Sequence, residues 1–277
     1  MAEKENFLPP LRDVIQRHDL GAKRSLGQHF LLDGNLCGRI ARLGGDLDGV
    51  SVIEIGPGPG GLTRALLDQG AAYVVAIEKD ERCVQALGEL GDVYPGRLKI
   101  LEGDALQVDA ATLGAAPRRI IANLPYNIST ALLIHWLPRI SSFAGLHLMF
   151  QKEVAGRICA GPGTKAYGRL SIITQWLCET HLEFDVDRRA FTPSPRVTSS
   201  VVSFTPRTQP LAEADFSAME RVTSIAFGQR RKMVRSSLKL LADSFPEIGI
   251  ESTRRAEELC IEEYCALARA LSRFEKA

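Results

Sequence analysis

A glycine-rich turn set between a strand and a helix constrains this chain more than any other feature. Val52-Ile53-Glu54-Ile55 is a short, mostly apolar run of the kind a fully buried strand needs. It leads without a break into Gly56-Pro57-Gly58-Pro59-Gly60-Gly61-Leu62-Thr63. Gly56, Gly58 and Gly61 fit G-x-G-x-x-G, a spacing that lets the backbone come close to a ligand. Glu78 ends the next strand about twenty residues on, where a carboxylate can hold ribose hydroxyls. The ligand expected here therefore carries a ribose. Two cofactor classes share this geometry: dinucleotides, whose pyrophosphate needs the helix N-terminus, and S-adenosylmethionine, which has no phosphate. The turn does not separate them. Asp104, in Glu102-Gly103-Asp104-Ala105 at the third strand end, is placed to accept from an adenine amine, or simply to cap a helix.

Short apolar runs alternate with amphipathic stretches over roughly two thirds of the chain, which specifies β-α units on a parallel, doubly wound sheet. Strands are expected at Val50–Ile55, Tyr73–Ile77, Leu98–Leu101, Ile120–Asn123 and Leu146–Gln151. Leu182–Val186 and Val201–Phe204 follow, close enough in sequence to pair antiparallel and close one sheet edge. Beyond Pro206 the pattern is helical, so the domains are expected at residues 1–206 and 207–277.

Asn123-Leu124-Pro125-Tyr126, followed by Asn127-Ile128-Ser129, sits at a strand's carboxyl end, where open α/β sheets place ligands. Pro125 fixes its own φ and biases Leu124 away from helix, so a rigid extended turn follows the strand. Such a turn can aim the Asn123 side-chain oxygen and the Leu124 carbonyl at one exocyclic amine, with Tyr126 as a stacking face. The alternative is a plain strand-end turn carrying a half-buried tyrosine.

The composition, 45% hydrophobic and 24% charged with a net charge of +1, is that of an ordinary globular protein, so any nucleic-acid footprint must be local. The best candidate is Gln229–Lys239, which carries Arg230, Arg231, Lys232, Arg235 and Lys239 and no acid. As a helix it would put Arg231, Arg235 and Lys239 on one stripe for phosphates, with Val234 and Leu238 inward. A charge run is also what a solvated face looks like. Lys23-Arg24 can extend the patch. The charged start of the chain carries no secretory signal and no apolar run is long enough to span a membrane, which points to the cytoplasm. Six cysteines without a CxxC pair predict reduced thiols and no metal. No Ser-His-Asp arrangement, HExxH or Walker lysine is present.

These residues resemble the ribosomal RNA adenine N6-dimethyltransferases, and within them the small-subunit type. The likeness is carried by Leu26-Gly27-Gln28-His29-Phe30-Leu31, the glycine turn, Glu78, Asp104, the Asn123 segment and Gln151-Lys152-Glu153-Val154-Ala155. Phe191-Thr192-Pro193-Ser194-Pro195-Arg196-Val197 and Phe227-Gly228-Gln229-Arg230-Arg231-Lys232 complete it. The resemblance implies a Rossmann-like class I methyltransferase sheet, mostly parallel with an antiparallel edge strand, plus a small C-terminal helical domain that binds RNA. It implies S-adenosylmethionine bound by His29, Leu31, Gly56, Gly58, Glu78, Asp104 and Asn123, with His29 standing where the family usually has asparagine. It also implies catalysis by Asn123, Leu124, Pro125 and Tyr126, with Phe191 facing Tyr126 across the target adenine. The alternative for Phe191 is core packing behind the Pro193/Pro195 turn. The implied substrate is small-subunit rRNA in an immature 30S subunit, dimethylated at two adjacent adenines near its 3′ end by a monomer. The rivals are the macrolide-resistance enzymes of large-subunit rRNA, a nicotinamide dehydrogenase using the same turn, and a non-catalytic assembly factor.

Overall fold

Nine strands and eleven α-helices order the described residues, 8–22 and 27–275, in a computed structural model. The strands are β1 (Phe30–Leu31), β2 (Ser51–Ile55), β3 (Tyr73–Glu78), β4 (Leu98–Glu102), β5 (Arg118–Asn123), β6 (Gly145–Gln151), β7 (Cys178–Val186), β8 (Phe191–Thr192) and β9 (Ser199–Pro206). The first helices are α1 (Leu11–Arg17), α2 (Gly34–Arg42), α3 (Gly61–Asp68), α4 (Glu81–Val93) and α5 (Ser129–Trp136). They are followed by α6 (Lys152–Ile158), α7 (Arg169–Leu177), α8 (Phe216–Gly228), α9 (Val234–Ser237), α10 (Phe245–Ile248) and α11 (Ile261–Phe274).

Seven strands form one sheet in the order β4-β3-β2-β5-β6-β9-β7, and β1 pairs with β8 in a separate two-stranded ladder. β2 runs parallel to β3 and β5, and β6 parallel to β5. β9 is antiparallel to β6, with Leu146 opposite Phe204 and Gln151 opposite Ser199. The expected antiparallel element is thus in place, with β9 inserted inside β7 rather than forming the outermost strand. Every residue of β2 is buried, as a central parallel strand covered on both faces requires. Ile40 and Cys37 of α2, Leu62 and Leu66 of α3, and Leu87 of α4 pack with β-strand residues Val52 and Val74 in the main core cluster. Each such aliphatic side chain contributes about 1.5–3 kcal/mol on full burial.

The chain divides into two compact units, one of the described residues up to Lys152 with Leu182–Phe204, the other of Glu153–His181 with the chain from Thr205 on. The sequence places Glu153–His181 in the first domain, because helical stretches after a strand read as β-α crossovers. Packing puts them in the second. α7 packs on α8 and α11. Trp176 stacks on Phe216 with ring centroids 6.2 Å apart, and the Tyr167 hydroxyl donates to the Leu259 carbonyl at 3.1 Å.

The expected single helix over Gln229–Lys239 is not formed. α8 ends at Gly228, Met233 is extended and bridges Arg255, and only Val234–Ser237 is α-helical before a 3₁₀ segment at Lys239–Ser244. The cause is a competing set of backbone partners: the Val234 amide donates to the Arg254 carbonyl at 2.7 Å and the Arg235 amide to the Ser252 carbonyl at 3.1 Å. Val234 and Leu238 do point inward, both with no exposed surface. No helix among the described residues is long and apolar enough to cross a membrane.

Candidate active site

The carboxyl ends of β2, β3 and β5, with the segment leading into β1, bound one cleft lined by Gly56, Gly58, Glu78, Asp104 and Asn123 to Tyr126. Gly27, Gln28 and His29 cover it from the N-terminal side. Gly56 has a φ of 65°, and a Cβ there would lie 3.3 Å from Cγ of Pro125. The glycine therefore lets the turn after β2 abut the turn after β5. Gly61 opens α3 for a different reason: a Cβ would come within 2.5 Å of the Leu31 carbonyl oxygen. Its missing side chain makes room for β1.

Glu78 is buried, and its carboxylate accepts from three backbone amides: Gly58 at 3.1 Å, Lys79 at 2.8 Å and Asp80 at 2.9 Å. Burial pushes its pKa above the ordinary carboxylate value, while those three amides oppose the shift. Asp104 accepts from the Leu106 amide at 3.0 Å and from Lys79 Nζ at 2.8 Å, and the Lys79 ammonium holds its pKa below the usual value. Both carboxylates keep lone pairs for hydroxyl or amine donors.

This arrangement decides between the two cofactor classes. The Gly58 amide, which a pyrophosphate would need, is committed to Glu78. Lys79 is tied to Asp104, and the cleft lining contains no arginine among the described residues. Among the described residues a pyrophosphate would meet two acids without a free basic partner, whereas a sulfonium nucleoside finds complementary charge. The residues present fit S-adenosylmethionine: Glu78 suits the ribose diol and Asp104 the adenine amine.

Asn123 is half-buried on the cleft wall, and its Nδ2 donates to the His29 carbonyl at 3.3 Å. The Tyr126 hydroxyl is 2.5 Å from Ser199 Oγ, and its ring lies against His29 with centroids 5.5 Å apart. Burial raises the Tyr126 pKa. Of the remaining predicted residues, Leu31 and Phe191 are brought together but not into the cleft. They pair in the β1–β8 ladder and are 5% and 3% exposed within the main core cluster. The two-residue ladder turns both side chains inward, so Phe191 packs in the core cluster and is not part of the cleft lining. Lys79 and Ser199 join the site without any signal in the sequence. Neither belongs to a motif, and their roles follow from partners 25 and 73 residues away.

In the second unit Arg231, Lys232, Arg235 and Lys239 are exposed, and none forms an ion pair among the described residues. Arg230 differs. It is bound to Glu257 at 2.6 Å and to the Lys165 carbonyl at 2.6 Å, so it braces the fold instead of standing free for phosphate. Lys23-Arg24 lie outside the described residues. None of the six cysteines is in a disulfide, and no cluster of metal-ligating side chains occurs among the described residues.

A mostly parallel seven-stranded sheet with an antiparallel strand, and a ribose-and-sulfonium cleft at its carboxyl edge, define a class I S-adenosylmethionine-dependent methyltransferase. Residues 20–273 match the family described as ribosomal RNA adenine dimethylase. The chain belongs to that family. It is 63% identical over 267 residues to ribosomal RNA small subunit methyltransferase A of Paramagnetospirillum magneticum, covering 95% of each chain. The enzyme of the same name from Rhodospirillum rubrum is 61% identical, over 95% of this chain and 93% of that one. Among solved structures, a dimethyladenosine transferase from Plasmodium falciparum superposes with a TM-score of 0.74 at 24% identity, over 90% of this chain and 98% of that one. The 23S rRNA methyltransferase ErmE gives a TM-score of 0.67 at 25% identity, over 88% and 99%.

Proposed function

We propose that this enzyme dimethylates N6 of two adjacent adenines in a loop near the 3′ end of small-subunit rRNA, acting on the immature 30S subunit in the cytoplasm as a monomer. The observation that carries the chemistry is the convergence at the end of β5. There Asn123, Leu124 and Tyr126 line one cleft whose residues fit S-adenosylmethionine, and the bond from Asn123 Nδ2 to the His29 carbonyl leaves the Asn123 side-chain oxygen as an acceptor. The choice of small-subunit over large-subunit RNA is supported by the much higher identity to enzymes named for the small subunit than to ErmE.

S-adenosylmethionine, when bound, supplies an electrophilic methyl group on a positively charged sulfur. The protein's task is to make a poor nucleophile attack it. The lone pair of an adenine amine is delocalised into the ring. Two acceptors holding its hydrogens favour a tetrahedral nitrogen whose lone pair is free. Asn123 and the Leu124 carbonyl fill that role, and Tyr126 supplies a stacking face worth about 1–3 kcal/mol. The nitrogen gains the methyl group and loses one hydrogen as a proton to water, so no strong base is required. In the second round one amine hydrogen remains, and one acceptor suffices to hold it. Arg231, Lys232, Arg235 and Lys239 are the residues we assign to the RNA backbone.

Primer extension on small-subunit rRNA incubated with enzyme and S-adenosylmethionine tests the assignment, because N6,N6-dimethyladenine blocks pairing. Stops at two adjacent adenines of a 3′-terminal loop are expected. Stops only on large-subunit rRNA would refute it.

A further inference from the structure

Residues 8–19, α1 included, precede the stretch 20–273 that matches the family, yet they are tied to the groups that would hold the cofactor. One tie is polar. Arg82, in the first turn of α4, donates to the carbonyls of Asp19 at 2.7 Å and Gly21 at 3.1 Å, and the same guanidinium grips the Asp80 carboxylate at 2.7 and 3.1 Å. Asp80 is 3% exposed, and its amide donates to Glu78 Oε1 at 2.9 Å. The other tie is apolar. Val14 and Leu20 pack with Phe30, Cys83 and Ala86 in a small core cluster, and Phe30 lies so close to the glycine turn that a Cβ at Gly58 would be 2.9 Å from its ring. The Gly58 amide donates to Glu78 Oε2 at 3.1 Å. Both routes therefore end on the two oxygens of one carboxylate.

We infer that residues 8–21 form a strap whose docking is coupled to cofactor binding, with Arg82 as the positioning residue that carries the coupling: through Asp80 it sets an amide on which Glu78 depends. This rests on the assignment of Glu78 to the ribose of S-adenosylmethionine. A buried carboxylate aims its oxygens where its amide donors hold them, so loosening the strap loosens both the Asp80 and the Gly58 ends of that frame. Arg82 suits the task because a planar guanidinium can serve two carbonyls and a carboxylate at once, which an ammonium cannot. The coupling is reciprocal: whatever the docked strap adds to cofactor affinity, bound cofactor returns as stability of the strap.

The test combines calorimetry of S-adenosylmethionine binding, well below each protein's Tm, with amide hydrogen exchange of the strap in the presence and absence of the cofactor. The proteins are the wild type, Arg82→Met, Arg82→Lys and Glu78→Gln. In the wild type the cofactor should slow exchange of the His18 and Leu20 amides, which donate within the strap to the Val14 and Ile15 carbonyls. Arg82→Met keeps the aliphatic stem without the donors. It is expected to raise the cofactor Kd roughly tenfold, within the usual range for coupled sites, and to abolish the gain in protection, with the activity loss falling on the cofactor KM more than on kcat. Arg82→Lys should fall between the two. An unchanged Kd in Arg82→Met overturns the proposal even if Tm drops, because Arg82 would then only brace the fold. A wild-type strap whose exchange ignores the cofactor overturns it without any variant having to fold. Wild-type cofactor affinity in Glu78→Gln would instead refute the assignment of Glu78 on which the proposal rests.

Discussion

The side-chain nitrogen of Asn123 donates to the backbone carbonyl of His29 across 94 positions of sequence. Because a carbonyl cannot donate, this hydrogen bond fixes which end of the amide faces which way, and it leaves Asn123 Oδ1 as the acceptor available to the cleft. An asparagine with both ends free would present a donor to the substrate amine about as often as an acceptor. The strand end, the turn and the covering N-terminal segment together make one residue a one-sided acceptor.

The Tyr126–Ser199 bond should behave as a unit. Tyr126→Phe and Ser199→Ala are each expected to lower kcat severalfold, and the double variant to be no worse than the poorer single one. A coupling of about 0.5–1.5 kcal/mol, the net worth of one hydrogen bond, is the expected size in a double-mutant cycle of kcat/KM. Additive losses would mean that the two hydroxyls act separately.

Arg230 and its neighbours should separate cleanly. Arg230→Ala removes the partner of Glu257 and is expected to lower Tm, with a loss of about 1 kcal/mol for this partly exposed pair. The double variant Arg231→Ala/Arg235→Ala should leave Tm in place. It should instead reduce the slope of log affinity for rRNA against log salt by roughly 0.7–0.9 for each phosphate no longer neutralised. Thermal scans and salt titrations of the three proteins check both statements.

The difference among these arginines illustrates what sequence does and does not carry. The parallel sheet is legible because buried strands such as β2 and β5 announce themselves in short apolar stretches, Val52-Ile53 and Ile120-Ile121-Ala122. The glycine turn, Glu78, Asp104 and the Asn123 turn are legible because each sits at a strand end in a fixed spacing. Arg230 is not, because its partner Glu257 is distant in sequence and equal charges in a run look alike. Phe191 and Leu31 escape a sequence reading for a related reason. The two-residue β1–β8 ladder is too short to give any periodicity, yet it alone decides that both side chains turn into the core.

Glu54 gives a pH prediction. It lies in β2 at 2% exposure with Oε2 unpartnered, and burial foremost, with Glu78 nearby, pushes its pKa up to about 8. A folded pKa above the unfolded one means that the native state binds the extra proton between pH 4.5 and about 8. Stability of the cofactor-free protein should therefore fall as pH rises through that window. Glu54→Gln, which mimics the protonated acid, should remove this part of the decline and raise Tm near pH 8, each kcal/mol appearing as roughly 2–4 °C for a chain of this size. Parallel Tm profiles for the two proteins from pH 5 to 9 would show that Glu54 is not the group responsible.

The central claim is that one acceptor site at Asn123 serves both methyl transfers to an adenine amine. It is tested most directly by nucleoside mass spectrometry of small-subunit rRNA over a time course with wild-type enzyme and with Asn123→Ala, alongside calorimetry of S-adenosylmethionine binding. The wild type should give N6-methyladenosine followed by N6,N6-dimethyladenosine. Asn123→Ala should suppress both by roughly 10²–10³, the usual scale for losing one preorganised polar group at a reacting centre, while binding the cofactor with little change. Normal dimethylation by Asn123→Ala, or a loss of cofactor affinity that matches the loss of activity, would contradict the account.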